Sequence, residues 1–128
     1  MGPRPVRRQP LSIKVPDGYG LRVLDEVDST NTEAARLVGQ LAGPEWILAR
    51  RQTNGRGRRG RAWSDPVGNF AASLVLFPKQ SPEQIALRSF VAALALYDGL
   101  VATTGRSDAL ALKWPNDVLL NGGKVAGI

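Results

Sequence analysis

The sequence contains neither cysteine nor histidine. Without cysteine, the chain has no disulfide framework, no thiolate metal ligand and no thiol nucleophile. Without histidine, it lacks the usual general base of proteins, the histidine-dependent catalytic triads and most zinc chemistry. Any reaction that this chain supports must therefore depend on lysine, arginine, carboxylates, hydroxyl groups and the backbone.

Acidic residues are also in deficit, since 11 Asp and Glu face 17 Lys and Arg, which gives a net charge of +6. This excess indicates an anionic partner such as nucleic acid, a nucleotide or an acidic protein. The 128 residues are 43% hydrophobic, which is enough for one domain with a core. No uninterrupted apolar run approaches the roughly 20 residues that span a bilayer, and no apolar signal core follows the basic start. We expect a cytoplasmic protein without membrane association.

The alternation of apolar and polar residues predicts the element order β-α-β-loop-β-α-β-β. This order indicates an α/β fold of the α+β kind, in which helices flank a mixed sheet. Residues 1–20 are expected to form a flexible extension, and residues 21–128 the folded domain. The predicted strands are residues 21–27, 46–49, 69–77, 110–114, 117–120 and 124–128.

Two helices are predicted from their capping signals and apolar spacing. The first covers residues 31–41, and Thr30 with Glu33 fits a capping box. The second covers residues 82–103, with Ser81 as its cap, Pro82 in its first turn and Gly105 after its end. Because its faces are rich in alanine and apolar residues, we expect it to be buried on more than one side.

The most unusual stretch is the Gly/Arg loop, which runs from Gln52 to Trp63 and alternates glycine with arginine. Glycine destabilises helix and strand interiors by about 0.5–1 kcal/mol relative to alanine. The four arginines among residues 56–61 repel one another unless an anion lies between them. We therefore predict a loop that is mobile over residues 53–62 when empty and is ordered by a phosphate-bearing ligand.

Three other interpretations of the Gly/Arg loop differ in what they require. Residues 55–60 match the dinucleotide fingerprint G-x-G-x-x-G, but the residues that follow do not predict the helix that this fingerprint needs. An RNA-binding arginine–glycine segment would interleave aromatic residues, and only Trp63 is nearby. A solvated loop without function is disfavoured by its length, since connections usually have about 4–6 residues.

Three further motifs have both a structural and a functional interpretation. Residues 113–117, Lys-Trp-Pro-Asn-Asp, could simply end a strand with Trp114 in the core, although this does not explain the lysine and the aspartate. Lys124 follows the hairpin signal Asn121-Gly122-Gly123 and could be a protective charge on an edge strand. The helix-start motif, residues 28–31 (Asp-Ser-Thr-Asn), could be a helix cap, a ligand site or both.

In their order and spacing, these motifs resemble those of the biotin protein ligases (biotin–acetyl-CoA-carboxylase ligases), of the monofunctional type. The resemblance covers nearly all of residues 21–128 and includes residues 124–128, Lys-Val-Ala-Gly-Ile. It implies the N-terminal part of a catalytic domain related to class II aminoacyl-tRNA synthetases and lipoate ligases.

The resemblance also implies a two-step ligase reaction that uses biotin, ATP and Mg²⁺. Biotin and ATP first give biotinyl-5′-AMP, and a lysine of a biotin carboxyl carrier protein domain then takes the biotin. Attack of a carboxylate on a phosphate requires fixed positive charge and hydrogen-bond donors rather than a proton acceptor. A chain without histidine suits this chemistry.

Site residues are carried over from the resemblance by position, with Lys124 and Arg58 as the catalytic pair. The residues implied to bind biotin are Ser29, Thr30, Asn31, Gln52, Gly55, Arg56, Gly57, Arg58, Trp63, Lys124 and Gly127. The residues implied to bind the nucleotide are Arg58, Arg59, Arg61, Lys113, Trp114, Asn116 and Asp117, the last also as a magnesium ligand.

The sequence departs from the family pattern at both ends. Two-function members begin with a winged-helix DNA-binding domain, whereas only residues 1–20 precede the first matched strand, so we expect no DNA binding. The family continues beyond the strand that ends at Ile128, so we expect a fragment that lacks part of the nucleotide site. A homodimer is compatible with the resemblance. The alternatives are a lipoate ligase-like enzyme and a non-enzymatic nucleic-acid binder that uses the Gly/Arg loop.

Overall fold

The chain folds into two compact units that divide between Phe77 and Pro78. The structure is a computed structural model and describes residues 13–64, 66 and 68–128. Most of the expected flexible extension, residues 1–12, lies outside the described residues. Each unit contains a three-stranded sheet, so the predicted α/β class is confirmed, with the strands divided over two sheets.

The first unit contains the mixed sheet. Its elements are β1 (Gly20–Leu24), α1 (Thr30–Leu37), β2 (Glu45–Ala49) and β3 (Ala71–Val75). Strand β2 lies in the centre, parallel to β1 and antiparallel to β3. Helix α1 contacts β2 and β3, and the side chains of Ile47, Leu48 and Ala49 are buried. The core of this unit therefore lies at the carboxyl end of β2, just before the Gly/Arg loop.

Helix α1 begins differently from the prediction. Ser29, in an extended conformation, is the N-cap, and its hydroxyl accepts a hydrogen bond from the Thr32 N–H at 3.3 Å. The capping box of Thr30 and Glu33 is wrong, because Thr30 is already the first helical residue and Glu33 pairs with Arg36 at 3.5 Å. Sequence spacing alone did not decide which of two adjacent hydroxyl residues caps the helix. The helix ends at Leu37 and continues as a 3-10 turn, Val38–Gln40.

The second unit contains two helices and an antiparallel sheet. Its elements are α2 (Pro82–Ala86), α3 (Arg88–Thr104), β4 (Leu110–Lys113), β5 (Asp117–Leu120) and β6 (Gly123–Gly127). The strands lie in sequence order, and both pairs are antiparallel. Asn121 (φ 50°) and Gly122 (φ 83°) form the two-residue turn between β5 and β6. Positive φ at both positions is typical of a type I′ turn, so the predicted hairpin is confirmed.

The predicted second helix is two helices, interrupted at Leu87. Its two ends are as predicted: the Ser81 hydroxyl accepts from the Gln84 N–H at 3.4 Å, and Gly105 is left-handed with φ 69°. The prediction that this helix is buried on more than one side is wrong. Of the described residues of α3, only Ala93 is buried, and Val91 is 66% exposed. Apolar spacing identifies a face that avoids water, but it does not specify what covers that face.

One described stretch, Pro82–Thr104, is long and apolar enough to cross a membrane by length and composition alone. The stretch also contains Glu83, Arg88 and Asp98, and its helix is interrupted at Leu87. It is therefore weak evidence for a membrane span.

Candidate functional site

The backbone brings the helix-start motif beside the beginning of the Gly/Arg loop. Val27 forms an isolated parallel bridge with Gln52. The Thr53 N–H donates to the Val27 carbonyl at 2.9 Å, and the Asn54 N–H donates to the Asp28 carbonyl at 2.8 Å. Two motifs more than twenty residues apart in sequence therefore become neighbours in the first unit.

Four residues are joined by hydrogen bonds at this point. We call them the polar cluster, which consists of Thr30, Asn31, Gln52 and Ser73. The Thr30 N–H donates to Gln52 Oε1 at 2.8 Å. The Thr30 and Ser73 hydroxyl oxygens lie 2.9 Å apart, and Ser73 Oγ donates to Asn31 Oδ1 at 2.7 Å. Thr30 is only 4% exposed, so these bonds satisfy polar groups that have little access to water.

Ser73 was absent from the residues singled out in the sequence. It lies in the middle of β3, in the run Ala71-Ala72-Ser73-Leu74-Val75, and pairs in register with Ile47. A single hydroxyl within an apolar strand was the available signal. Which partner it would meet depends on how α1 packs against β3, and the sequence does not specify that packing.

Asp28 stabilises the start of α1 rather than offering a free charge. Its Oδ1 accepts from the Ser29 N–H at 2.8 Å, and its Oδ2 accepts from Arg36. The hydrogen bond from Arg36, followed by that from the Ser29 backbone, holds the pKa of the Asp28 carboxyl below its ordinary value of 3.8. The same contact raises the pKa of Arg36. Asp28 is therefore a charged anchor that fixes Ser29 and Thr30.

The Gly/Arg loop folds back on itself as a small hairpin. Arg56 forms an antiparallel bridge with Ala62, and the Gly57 N–H donates to the Arg61 carbonyl at 2.6 Å. A turn at Arg58–Gly60 reverses the chain, with Arg59 left-handed at φ 60°. The chain then runs to β3 without an intervening helix among its described residues. This geometry does not fit a dinucleotide fingerprint, which must open a helix at the phosphate.

The loop presents its arginines and packs its first glycine. Arg56, Arg59 and Arg61 are exposed, while the side chain of Arg58 lies outside the described part of the chain. Gly55 is buried, and a Cβ added to it would lie 3.0 Å from Gln52 Nε2 and 3.3 Å from the Trp63 carbonyl. Glycine at this position therefore allows the Gln52 amide to approach the loop backbone closely. Trp63 as a whole residue is 37% exposed.

A second group of predicted residues lies in the second unit, around β5 and β6. Lys124 Nζ is 3.0 Å from Asp117 Oδ1, and both side chains are only partly exposed. A Cβ added to Gly127 would lie 3.0 Å from Lys124 Cε and 3.1 Å from its Nζ. The group closest to Gly127 is thus the Lys124 side chain. Because glycine has no side chain, Lys124 can stay beside the Asp117 carboxylate.

The remaining predicted residues of this unit differ in their surroundings. Asn116 Nδ2 donates to the Ile128 carbonyl at 3.0 Å, and the Ile128 N–H donates to the Asn116 carbonyl at 2.8 Å, which ties the turn to the end of β6. Trp114 is 53% exposed and packs at 5.1 Å between ring centroids against Phe90, so its interpretation as a core residue is wrong. Lys113 is exposed and lies opposite Asp117 in the β4–β5 register.

The described residues contain no group of three or more acidic side chains that could hold a metal ion by themselves. Mg²⁺ at nucleotide sites is commonly bound by one or two carboxylates, water and the substrate phosphates. Asp117 fits a site of this kind, in which one carboxylate of the protein holds an ion that arrives with the nucleotide.

Comparisons with known proteins identify relatives over nearly the same range. The biotin–[acetyl-CoA-carboxylase] ligase of Paracoccus denitrificans is 59% identical to this chain over 106 residues. The bifunctional ligase/repressor BirA of Escherichia coli is 35% identical over 113 residues. The matched regions are 83% and 88% of this chain but only 44% and 35% of those proteins, so the chain spans less than half the length of either relative.

Solved structures show the same likeness. The biotin protein ligase of Aquifex aeolicus in complex with biotin and ATP gives a TM-score of 0.74 at 35% identity, with 84% of this chain and 44% of that chain covered. The biotin protein ligase of Leishmania major in complex with biotinyl-5-AMP gives 0.73 at 27% identity, with 88% and 51% covered. The resemblance drawn from the four motifs is confirmed. The model of the biotin/lipoate A/B protein ligase family matches residues 23–128, and the chain belongs to that family.

Proposed function

We propose that this chain is part of a biotin protein ligase, which activates biotin with ATP and transfers it to a lysine of a biotin carboxyl carrier protein domain. The observation that carries the proposal is the polar cluster of Thr30, Asn31, Gln52 and Ser73 beside the arginine-rich loop. It combines neutral hydrogen-bonding groups with adjacent positive charge. Biotin has the complementary pattern, a neutral cyclic urea at one end and a carboxylate at the other.

The neutral groups bind the urea ring in this proposal. Ser29 and Thr30 are buried, and the Gln52 amide is fixed by the Thr30 N–H, so the ring would meet groups that are already oriented. A site that is organised before binding loses little conformational entropy when the ligand arrives. The same groups serve as helix cap and ligand site, and the two interpretations of the helix-start motif are therefore compatible.

The basic residues serve the first reaction step. An oxygen of the biotin carboxylate attacks the α-phosphorus of ATP, the bond to the bridging oxygen of the β-phosphate breaks, and pyrophosphate leaves. Arg56, Arg58, Arg59 and Arg61 neutralise the negative charges that approach one another, and arginine's planar fork can bind two oxygens at once. Lys124 supplies a compact charge for the same step, held in position by Asp117.

The second step transfers the biotinyl group. The neutral amine of the carrier lysine attacks the acyl carbon of the adenylate, AMP leaves, and the amine nitrogen loses its proton. A mixed anhydride hydrolyses readily, so the ligase must exclude water between the steps. The Gly/Arg loop is proposed to close over the adenylate, with Trp63 as its apolar edge.

The nucleotide side of the proposal rests on residues of the second unit. Lys113, Trp114, Asn116 and Asp117 lie at the turn between β4 and β5, where side chains are partly or fully exposed to a ligand. Mg²⁺ bound with ATP would neutralise phosphate charge during the first step. Asp117 is the residue that would hold it.

A lipoate ligase-like activity is the second candidate, because the matched family includes lipoate ligases. Biotin is favoured because the relatives and solved structures described above are named for biotin. A nucleic-acid binder remains the candidate outside enzymology, since the exposed arginines would also attract a polyanion.

One calorimetric series on the complete protein separates these candidates. Biotin, lipoate and a single-stranded oligonucleotide are titrated in the same buffer at two salt concentrations. We expect saturable binding of biotin with little salt dependence and no saturable binding of lipoate. Tighter binding of lipoate than of biotin, or steeply salt-dependent oligonucleotide binding without any biotin binding, would contradict the proposal.

The proposal extends to the cellular setting of the ligase. We place the protein in the cytoplasm, with the carrier domain as its macromolecular partner. Formation of a homodimer stays a prediction, and sedimentation of the complete protein with and without biotin tests it.

A further inference from the structure

The direction of each hydrogen bond in the polar cluster follows from the number of hydrogens available. Ser73 Oγ donates to Asn31 Oδ1 at 2.7 Å, and a carbonyl oxygen can only accept. A serine hydroxyl has a single hydrogen, which this bond uses. In the 2.9 Å contact between the Thr30 and Ser73 hydroxyls, Thr30 is therefore the donor and Ser73 the acceptor.

With this direction, both polar hydrogens of Thr30, one on the hydroxyl and one on the backbone nitrogen, form hydrogen bonds within the protein. The hydroxyl hydrogen is directed at Ser73, and the backbone N–H is directed at Gln52 Oε1 at 2.8 Å. The Thr30 oxygen can then offer only its lone pairs to another molecule. Because Thr30 is 4% exposed, reversal of its hydroxyl would leave a hydrogen without a partner in a place with little water.

We propose that Ser73 is a positioning residue that makes the Thr30 hydroxyl an obligatory acceptor, and thereby selects ligands that present an N–H to it. This inference rests on the proposed function, since the urea ring of biotin presents N–H groups. In a ligand with an oxygen in place of that N–H, the lone pairs of this oxygen would face the lone pairs of the Thr30 hydroxyl oxygen. Such a ligand loses a hydrogen bond and meets repulsion as well.

The probes that test this inference are biotin and the two cyclic carbamates in which one or the other ureido N–H of biotin is replaced by a ring oxygen. Both isomers are needed, because either N–H could face Thr30. In the complete wild-type protein, we expect one isomer to bind at least tenfold more weakly than biotin, since a lost hydrogen bond of about 1.4 kcal/mol corresponds to a factor of 10. The measured quantity is the ratio of the dissociation constants of that isomer and biotin.

Three variants separate positioning from a general structural role. In Ser73→Ala the Thr30 hydroxyl loses its acceptor and can turn to donate to the ring oxygen, so the ratio should fall several-fold. In Ser73→Thr the hydroxyl is kept and the ratio should stay near that of the wild type. In Asn31→Ala the Ser73 hydrogen is released and can point to Thr30, so the ratio should also fall.

A merely structural contribution of Ser73 would weaken biotin and the carbamate by the same factor. An unchanged ratio in Ser73→Ala would overturn the inference, as would an unchanged ratio in Asn31→Ala, where the mutated side chain is exposed and folding is not at risk. Failure of biotin to bind the wild-type protein would instead overturn the proposed function. The two failures are therefore distinguishable in the same experiment.

Discussion

Lys124 and Asp117 form an ion pair of 3.0 Å between neighbouring strands of the second unit, in a space that Gly127 keeps open. The two residues are seven positions apart, on opposite sides of the β5–β6 hairpin, and the hairpin turn at Asn121 and Gly122 fixes their distance. A partly buried lysine without a partner would sample many rotamers. Paired with Asp117, its charge is held at one place, as the role proposed for it in stabilising an anionic transition state requires.

The first prediction concerns the space at Gly127. In Gly127→Ala the new Cβ would lie 3.0 Å from Lys124 Cε and 3.1 Å from Nζ, so the lysine end must shift by a few tenths of an ångström from its place beside Asp117. We expect the rate of biotinyl-5′-AMP formation to fall about tenfold or more, the scale of a displaced charge stabiliser. Single-turnover measurement of adenylate formation in the complete protein tests this.

Gly123→Ala is the matched control for Gly127→Ala. It adds the same methyl group to the same strand, where the nearest atom would be the Leu120 carbonyl oxygen at an ordinary 3.6 Å. Its adenylation rate should match that of the wild type. Equal loss of rate in both variants would show that β6 tolerates no methyl group, and that Gly127 has no specific relation to Lys124.

The second prediction concerns Gly55, at the start of the Gly/Arg loop. In Gly55→Ala the Cβ would lie 3.0 Å from Gln52 Nε2 and 3.3 Å from the backbone carbonyl of Trp63, which cannot rotate away. We expect biotin to bind about fivefold more weakly, since the loss of one well-placed hydrogen bond is worth about 1 kcal/mol. Calorimetric titration of biotin measures this. Gly43→Ala, whose Cβ would meet nothing within 4 Å, should leave the affinity unchanged.

The third prediction concerns the pH dependence of stability. Because Arg36 and the Ser29 backbone hold the pKa of Asp28 below its ordinary value of 3.8, the carboxylate stabilises the folded state above that value. This contribution should be lost as the pH falls from 3.8 through the lower pKa of the folded state. Urea unfolding at several pH values should show Asp28→Asn less stable than the wild type near neutrality, with the difference vanishing in acid.

Asp108→Asn is the control for Asp28→Asn, since it removes an exposed pair with Arg106 in the other unit. Its effect on the free energy of unfolding should be smaller at neutral pH, because the Asp108 side chain is 74% exposed against 36% for Asp28, and Asp28 also accepts a hydrogen bond from the Ser29 N–H. A difference between Asp28→Asn and the wild type that grows on acidification would contradict the assigned direction of the Asp28 pKa.

The fourth prediction concerns mobility of the Gly/Arg loop. Its hairpin is closed by the hydrogen bonds of Gly57 with Arg61 and of Trp63 with Gly55, while its arginines are directed outward where described. Residues 53–62 should be cut rapidly by trypsin in the empty protein and at least several-fold more slowly with biotin and ATP. The Arg106 bond serves as an internal reference. Equal protection at both places would indicate global stabilisation instead of closure of the loop.

Local signals predicted much of the fold. The Asn121-Gly122 turn, the Ser81 cap and the helix end at Gly105 each follow from the preferences of single residues, and all three are confirmed. The cap at Ser29 was missed because Glu33, three residues after Thr30, favoured the second of two adjacent hydroxyl residues. The division of the strands over two sheets depends on pairings between distant residues, which the strand patterns do not specify.

The candidate site was also only partly predictable from the sequence. Residue types singled out the helix-start motif and the Gly/Arg loop, and the family resemblance implied the roles of Thr30 and Gln52 within them. Ser73 escaped because one serine in an apolar strand is common, and only its contacts with Thr30 and Asn31 give it importance. The ion pair of Lys124 with Asp117 likewise depends on strand register, including the shift between Val118 and Leu119.

In the proposed function, basic residues of this chain promote formation of the adenylate from biotin and ATP. The most direct measurement is biotin-dependent exchange of labelled pyrophosphate into ATP, made on the complete protein and on its Lys124→Ala and Arg58→Ala variants. We predict exchange with biotin but not with lipoate, and a loss of exchange in both variants by a factor of about 100 or more. Exchange at the wild-type rate in both variants, or none with biotin in the wild-type protein, would contradict this claim.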